Sequence, residues 1–222
     1  MDFIELLENA FKENQNTGNA VAMAKYMRNN FTFFGIDTKE RRTILKSIWK
    51  ENKLVVDLKA REIAVILFAK KEREFHYCAI EIITKQLKRN YKQEDIILIE
   101  KLITTNSWWD SVDSIAKNIL GQYLLEHPNK IIPIIERFSN SKNIWLIRSV
   151  ILFQLGYKTN TNFDLLKSEC EKHKTSKDFF IQKAIGWALR EYSKTNPENV
   201  KNYVNSSNLM PLSQKEALKN FF

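Results

Sequence analysis

Phe179-Phe180-Ile181-Gln182-Lys183-Ala184-Ile185-Gly186-Trp187-Ala188-Leu189-Arg190-Glu191-Tyr192 is the stretch on which the fold turns. At 100° per residue, Ile181, Ala184, Ile185, Ala188, Leu189 and Tyr192 gather on one side, which is the apolar face of an α-helix. The opposite side carries Phe179, Lys183, Trp187 and Arg190. Lys183 is four residues before Trp187 and Arg190 three after it, so the three are neighbours on the helix surface. Core packing does not call for a tryptophan on a basic face. Two readings stay open: a half-buried ring against the next helical layer, or an aromatic platform flanked by cations that can bind phosphate.

The same periodicity extends outward in both directions. Helices are expected near 2–14, 19–30, 38–51, 57–69, 73–89, 93–104, 107–126, 129–139, 143–155, 162–173, 178–195, 197–205 and 212–221. The chain has 5 Gly and 4 Pro among 222 residues, with no Asn-Gly or Asp-Gly hairpin signal and no sustained alternation. Asn196-Pro197 reads as an N-cap followed by proline at the first helical position. Ser107, three residues before Asp110, has capping-box spacing. Asn140-Ser141 and Thr159-Asn160 mark loops. Helix pairs recur every 35 to 40 residues or so, the scale of HEAT-like repeats. The helices at 63–69 and 144–155 are apolar nearly all round and belong between two layers. The expected fold is therefore all-α: a superhelical solenoid of HEAT-like antiparallel helix pairs, with residues 1–222 forming a single domain.

Composition narrows the function classes. Apolar residues make up 44% of the chain, which excludes a disordered protein. No apolar run is long enough to cross a bilayer, and Met1-Asp2-Phe3-Ile4-Glu5 does not begin a signal peptide, so the cytoplasm is the expected address. Cys78 and Cys170 fall in helical patterns and read as reduced core thiols. The net charge of +9 favours a polyanionic partner, nucleic acid before a membrane surface. No helix joins a basic face to exposed aliphatics in the way a membrane binder would. His76, His127 and His173 lack metal-ligand spacing, and there is no Gly-rich phosphate loop or nucleophile turn, so neither metal nor cofactor is expected.

Three other places hold residues that could carry chemistry. On the helix at 107–126, Trp108, Val112, Ile115 and Ile119 form the apolar stripe. Trp109 and Asp113, four apart, share a different face near the positive end of the helix dipole, which favours an ionised carboxylate. A solvated aspartate is the plainer alternative. On the helix at 143–155, Arg148 lies among Ile144, Ile151, Leu152 and Leu155, and so needs either a buried carboxylate or a phosphate. Arg42, Lys46 and Lys50 recur every four residues, as a solvated face or a phosphate track.

These residues sit in longer strings. Thr105-Asn106-Ser107-Trp108-Trp109-Asp110-Ser111-Val112-Asp113 resembles the S-W-W-D-S-V-D segment of AlkD-type DNA alkylation repair glycosylases. Asn143-Ile144-Trp145-Leu146-Ile147-Arg148 is similar to that family's W-x-x-R segment. The stretch from Phe179 to Tyr192 matches a third block, and Ala24-Lys25-Tyr26-Met27-Arg28-Asn29 with Phe34-Gly35-Ile36 matches the N-terminal part. The resemblance runs over nearly the whole chain. Relatives often carry lysine where this chain has Gly156.

What the resemblance implies is a HEAT-like superhelix that cradles duplex DNA and cleaves the N-glycosidic bond of cationic N3- and N7-alkylated purines, as a monofunctional, monomeric glycosylase. Asp113 would be the catalytic carboxylate, with Trp109 and Trp187 lining the cleft around the sugar. Arg148 would hold the DNA backbone, Tyr26 would form a further cleft wall, and Lys183, Arg190, Thr38 and Arg42 would contact DNA. A paralogous branch has lost activity together with cleft residues; this chain keeps the set and is placed with the active branch. The alternative is a non-catalytic HEAT-like scaffold that binds DNA or protein. A helix-hairpin-helix glycosylase is disfavoured, because that class needs a Gly-rich hairpin.

Overall fold

The computed structural model describes residues 2–221, and among these no strand occurs; one isolated bridge joins Thr32 and Glu72. The helices are α1 (Phe3–Glu13), α2 (Thr17–Tyr26), α3 (Thr38–Glu51), α4 (Lys53–Phe68), α5 (Arg73–Gln86), α6 (Asp95–Thr104), α7 (Trp109–Ile115), α8 (Gly121–Glu126), α9 (Ile131–Ser139), α10 (Ile144–Leu152), α11 (Phe163–His173), α12 (Phe179–Ser193), α13 (Pro197–Ser206) and α14 (Pro211–Ala217). The expected all-α architecture is the one observed. The helices form two compact units, one ending at Lys92 and the other beginning at Gln93.

Most helix starts follow from local chemistry. Asp2, Asn16, Asp37, Asn143, Asn162, Asp178 and Asn196 each accept a hydrogen bond from a backbone N–H of the first turn. Asn196 with Pro197 is the N-cap and N1 pair read from the sequence. The Ser107 cap is not formed. Its hydroxyl donates back to the Ile103 carbonyl at 2.6 Å, and Trp108, in extended backbone, stands at the N-cap without a side-chain bond. A hydroxyl this close to the end of α6 finds a free carbonyl there first. The expected helix at 107–126 is also not uniform. Between α7 and α8, residues Ala116–Leu120 wind as a π-helix, which inserts extra backbone one turn beyond Asp113.

In the N-terminal unit, Phe3, Leu7 and Phe11 of α1 are buried, as are Leu45, Ile63, Leu67 and Phe75. Helix α4 packs on α1, α3 and α5, but its 63–69 segment is not covered all round as its sequence suggested: Ile66 faces outward at 48% exposure. In the C-terminal unit the expectation for α10 holds. It is packed among α6, α7, α9, α11 and α12, and Leu146, Arg148, Ser149, Val150, Ile151 and Leu152 are all buried. Cys78 and Cys170 are fully buried free thiols, and burial pushes the Cys78 thiol up to about 12, so neither is a nucleophile near neutral pH.

Candidate active site

Asp113 sits on the fifth residue of α7, one turn after Trp109, and the stripe Val112, Ile115 and Ile119 faces the core as expected. Its carboxylate meets Arg148 in a two-point pair: Nε donates to Oδ1 at 2.7 Å and Nη2 to Oδ2 at 2.8 Å. The third nitrogen, Nη1, donates to the backbone carbonyl of Phe180. The Arg148 side chain is 5% exposed and the Asp113 side chain 12%, so both are recessed and Asp113 is the less covered of the two.

Each partner is placed by its own helix start. Asn143 accepts the Trp145 N–H at 2.9 Å and so fixes the first turn of α10, one turn before Arg148. Asp178 accepts the N–H groups of Phe180 and Ile181 at 2.8 and 3.0 Å, which sets the Phe180 peptide that Arg148 reaches. At the same junction Trp108, Trp145 and Phe180 form a ring triangle, with centroids 5.7, 5.1 and 5.0 Å apart. This aromatic group was not recognised from the sequence; its signal was three rings at the starts of α7, α10 and α12, elements that proved to be neighbours. Burial raises the Asp113 carboxyl above its usual 3.8, the nearby Asp110 carboxylate adds to this, and Arg148 opposes it by hydrogen bonding and charge.

The α12 face divides largely as expected. Ile181, Ala184, Ile185, Ala188 and Leu189 are buried and Tyr192 is partly buried, whereas Lys183 and Arg190 are partly exposed, Phe179 is exposed, and Trp187 is a half-buried ring packed against the core. Trp187 follows Phe180 by seven residues, two turns of helix, so both lie on one side of α12 about 10 Å apart. Lys183 and Arg190 have a partner that sequence reading missed. Glu216 of α14 accepts from Lys183 Nζ at 3.0 Å, Arg190 Nη1 at 3.1 Å and Lys219 Nζ at 2.5 Å. Gly186 makes this possible. A Cβ there would stand 2.3 Å from the Glu216 Cβ and 2.8 Å from the Ser213 carbonyl oxygen, so only glycine lets α14 approach α12 this closely. Burial alone would raise the Glu216 carboxyl, but hydrogen bonds from Lys219 and Lys183 hold it at about 2. Gly156 has φ +88°, and the end of the Lys117 side chain passes 3.3 Å from where its Cβ would be.

Tyr26, Thr38 and Arg42 belong to the N-terminal unit. Tyr26 ends α2 and is 69% exposed. Thr38 opens α3 beside the Asp37 cap. Arg42 Nε donates to Glu81 at 3.0 Å, while Lys46 and Lys50 further along α3 are exposed. No group of His, Cys, Asp and Glu suited to a metal occurs among the described residues, and no described helix is long and apolar enough to cross a membrane.

Fold and site together define a class: an all-α helical-repeat protein with a recessed carboxylate–guanidinium pair beside aromatic rings. The family model for DNA alkylation repair enzymes matches residues 7–221, and the chain belongs to that family. It is similar to a solved structure described as a predicted DNA alkylation repair enzyme from Enterococcus faecalis, at 34% identity and a TM-score of 0.84, over 92% of this chain and 95% of that one. AlkD2 from Streptococcus mutans shares the fold at 18% identity and a TM-score of 0.61, over 83% of this chain and 90% of that one. So does smu.31 from Streptococcus mutans UA159, at 17% and 0.57, over 81% and 98%. No curated protein matches the chain.

Proposed function

We propose that the protein is a monofunctional DNA glycosylase that releases N3- and N7-alkylated purines from duplex DNA, working as a monomer in the cytoplasm, with residues 1–222 serving as one DNA-binding domain. The observation that carries this reading is the Asp113–Arg148 pair, with its guanidinium buried and its aspartate side chain keeping a small residual exposure.

A purine alkylated at N3 or N7 already carries a positive charge. When its N9–C1′ bond breaks, the bonding electrons pass to the purine, which leaves neutral and needs no general acid. The positive charge moves to the deoxyribose. An ionised Asp113 stabilises that oxocarbenium-like centre and orients a water, whose oxygen adds to C1′ as its proton passes to the carboxylate or to solvent. Sugar glycosidases commonly use two carboxylates because their leaving group must be protonated; one suffices here.

Both Asp113 oxygens are engaged by Arg148, yet each retains acceptor capacity, so the pair need not open for the carboxylate to act. Arg148, expected from the resemblance to hold the DNA backbone, has all three nitrogens engaged within the protein and is 5% exposed, so it serves the reaction instead as a positioning residue, supplying the countercharge that keeps Asp113 ionised. Trp109 and Trp187 offer π faces to the sugar cation, each contributing about 0.5–2 kcal/mol. Tyr26, Thr38 and Arg42 contribute contacts to the DNA from the N-terminal unit. No lysine is used as nucleophile, so the strand is left uncut. The test is release of N7-methylguanine from methylated duplex DNA under single-turnover conditions. Release by the wild type that is lost in Asp113→Asn supports the assignment. Tight DNA binding with no release from any alkylated substrate would return the protein to the non-catalytic scaffold reading.

A further inference from the structure

Around Glu216 the charges do not balance. Three cations, Lys183 and Arg190 from α12 and Lys219 just beyond α14, meet one carboxylate. No other carboxylate among the described residues pairs with any of the three, so the cluster carries a surplus of two positive charges. Lys183 and Lys219 share the same oxygen, Oε1, which forces their two ammonium groups close together. Left alone, such a pair would repel; the buried anion between them holds it in place.

The carboxylate is nearly sealed at 7% exposure, whereas the Lys183, Arg190 and Lys219 side chains keep 35%, 25% and 46%. An ammonium has three donors and a guanidinium five, and each cation spends one of them on Glu216 in this cluster. The remaining donors have room to face solvent. Trp187 lies between Lys183 and Arg190 on the same side of α12. The complementary ligand is a singly charged group with several acceptor oxygens, repeated at close spacing. A phosphodiester backbone has that chemistry.

We propose that Lys219 joins Lys183 and Arg190 in a phosphodiester-binding cluster assembled on Glu216, so that the C-terminal helix α14 is part of the DNA-binding surface. Glu216 is a positioning residue: it does not touch DNA, and it sets where the three cations stand. This inference rests on the reading that the protein acts on duplex DNA.

The test is fluorescence anisotropy of an unmodified duplex across a series of salt concentrations, with thermal melting of each variant in parallel. Each phosphate neutralised contributes about 0.9 to the slope of log K against log salt. Lys219→Ala is expected to lower the slope by about that amount and to weaken binding several-fold, and Lys219→Arg to retain both. Glu216→Gln raises the net charge by one, so featureless electrostatics would tighten binding. Loss of the organising anion is expected to weaken it instead, and Glu216→Asp to recover part of the loss.

An unchanged slope in Lys219→Ala, or tighter binding by a folded Glu216→Gln, would overturn the proposal. If Glu216→Gln does not fold, the Lys219 variants still decide. The two readings fail separately. Wild-type protein that releases no base, with a reduced slope in Lys219→Ala, sinks the glycosylase assignment and leaves the cluster standing. Base release with an unchanged slope sinks the cluster alone.

Discussion

Two buried carboxylates in the C-terminal unit have been treated in opposite ways. Glu216 faces three cations and is held at about 2, far below its usual 4.5. Asp113 faces a single guanidinium, and burial moves it above its usual 3.8. Both sites are ion pairs, so pairing alone does not set the shift. The balance of countercharge against desolvation does. Glu216 is oversupplied and is fixed as a permanent anion. Asp113 is undersupplied, so its charge remains costly, and a developing positive charge beside it would be welcome. The first arrangement suits a structural organiser, the second a group that acts in a transition state.

The largest effect should come from breaking the Asp113 site. On the proposed mechanism, Asp113→Asn removes the charge that would stabilise the sugar cation, an expected loss of about 2.7–4 kcal/mol, or roughly a hundredfold to a thousandfold in rate. The pair with Arg148 complicates this variant, because it also leaves a buried guanidinium without its anion, and orphaning one partner of a buried pair costs about 3–5 kcal/mol of stability. A drop in melting temperature is therefore expected and does not by itself make Asp113 structural. The double variant Asp113→Asn/Arg148→Met separates the roles. Removing both charges should recover much of the stability, while release of N7-methylguanine stays abolished. Recovery of release along with stability would show that the carboxylate is not the catalytic group.

Glu216→Gln should lower stability by about 2 kcal/mol, less than a sealed pair, because its cations retain a quarter to nearly half of their exposure. Denaturant unfolding at neutral pH measures it. A variant as stable as the wild type would mean that the three cations are equally well placed without the anion, and the contrast with Asp113 would collapse. Gly186→Ala should cost about 1–3 kcal/mol by overpacking, since its methyl group would press on the Glu216 Cβ and the Ser213 carbonyl oxygen. Melting the variant with and without duplex DNA checks whether the displaced α14 also weakens binding.

The sequence carried the helices well and the partners poorly. Period and caps placed thirteen helices, which cover α1 to α14 with α7 and α8 read as one, and for α3 the expected bounds, 38–51, coincide with the observed Thr38–Glu51. The faces of α7 and α12 were also legible, because burial follows a 3.6-residue period. What failed was local competition and distant contact. Ser107 lost its cap to the Ile103 carbonyl, and a π-helix interrupts the helix after Ile115, neither of which periodicity reports. Arg148 was legible as a buried cation, but its anion lies 35 positions away on another helix. Glu216 lies 26 positions beyond Arg190, and nothing near it in the sequence marks it. The one available signal was Gly186. Glycine inside a helix costs about 1 kcal/mol relative to alanine, which points to a close approach by something. It does not say by what.

The smallest effect, and the finest test of the comparison, is the order in which acid dismantles the two sites. Asp113 has a raised carboxyl, so the folded protein binds its proton more readily than the unfolded chain does. On the proposed mechanism activity needs the ionised form, because only the anion would stabilise the sugar cation: kcat/KM should fall as pH drops through the raised value, above the ordinary 3.8. Glu216 has a depressed carboxyl. Its contribution to stability is complete above its unfolded value of 4.5 and is lost as pH falls from there towards about 2. Enzyme-dependent base release, corrected for spontaneous depurination, should therefore decline first, while the melting temperature is still held by Glu216. In Glu216→Gln the acid loss of stability between 4.5 and about 2 should be shallower, with the acid limb of activity unmoved. A wild type whose activity and melting temperature fall together, at a pH at or below the usual carboxylate range, would mean that Asp113 is no more perturbed than a surface aspartate, and the distinction between the two carboxylates would be lost.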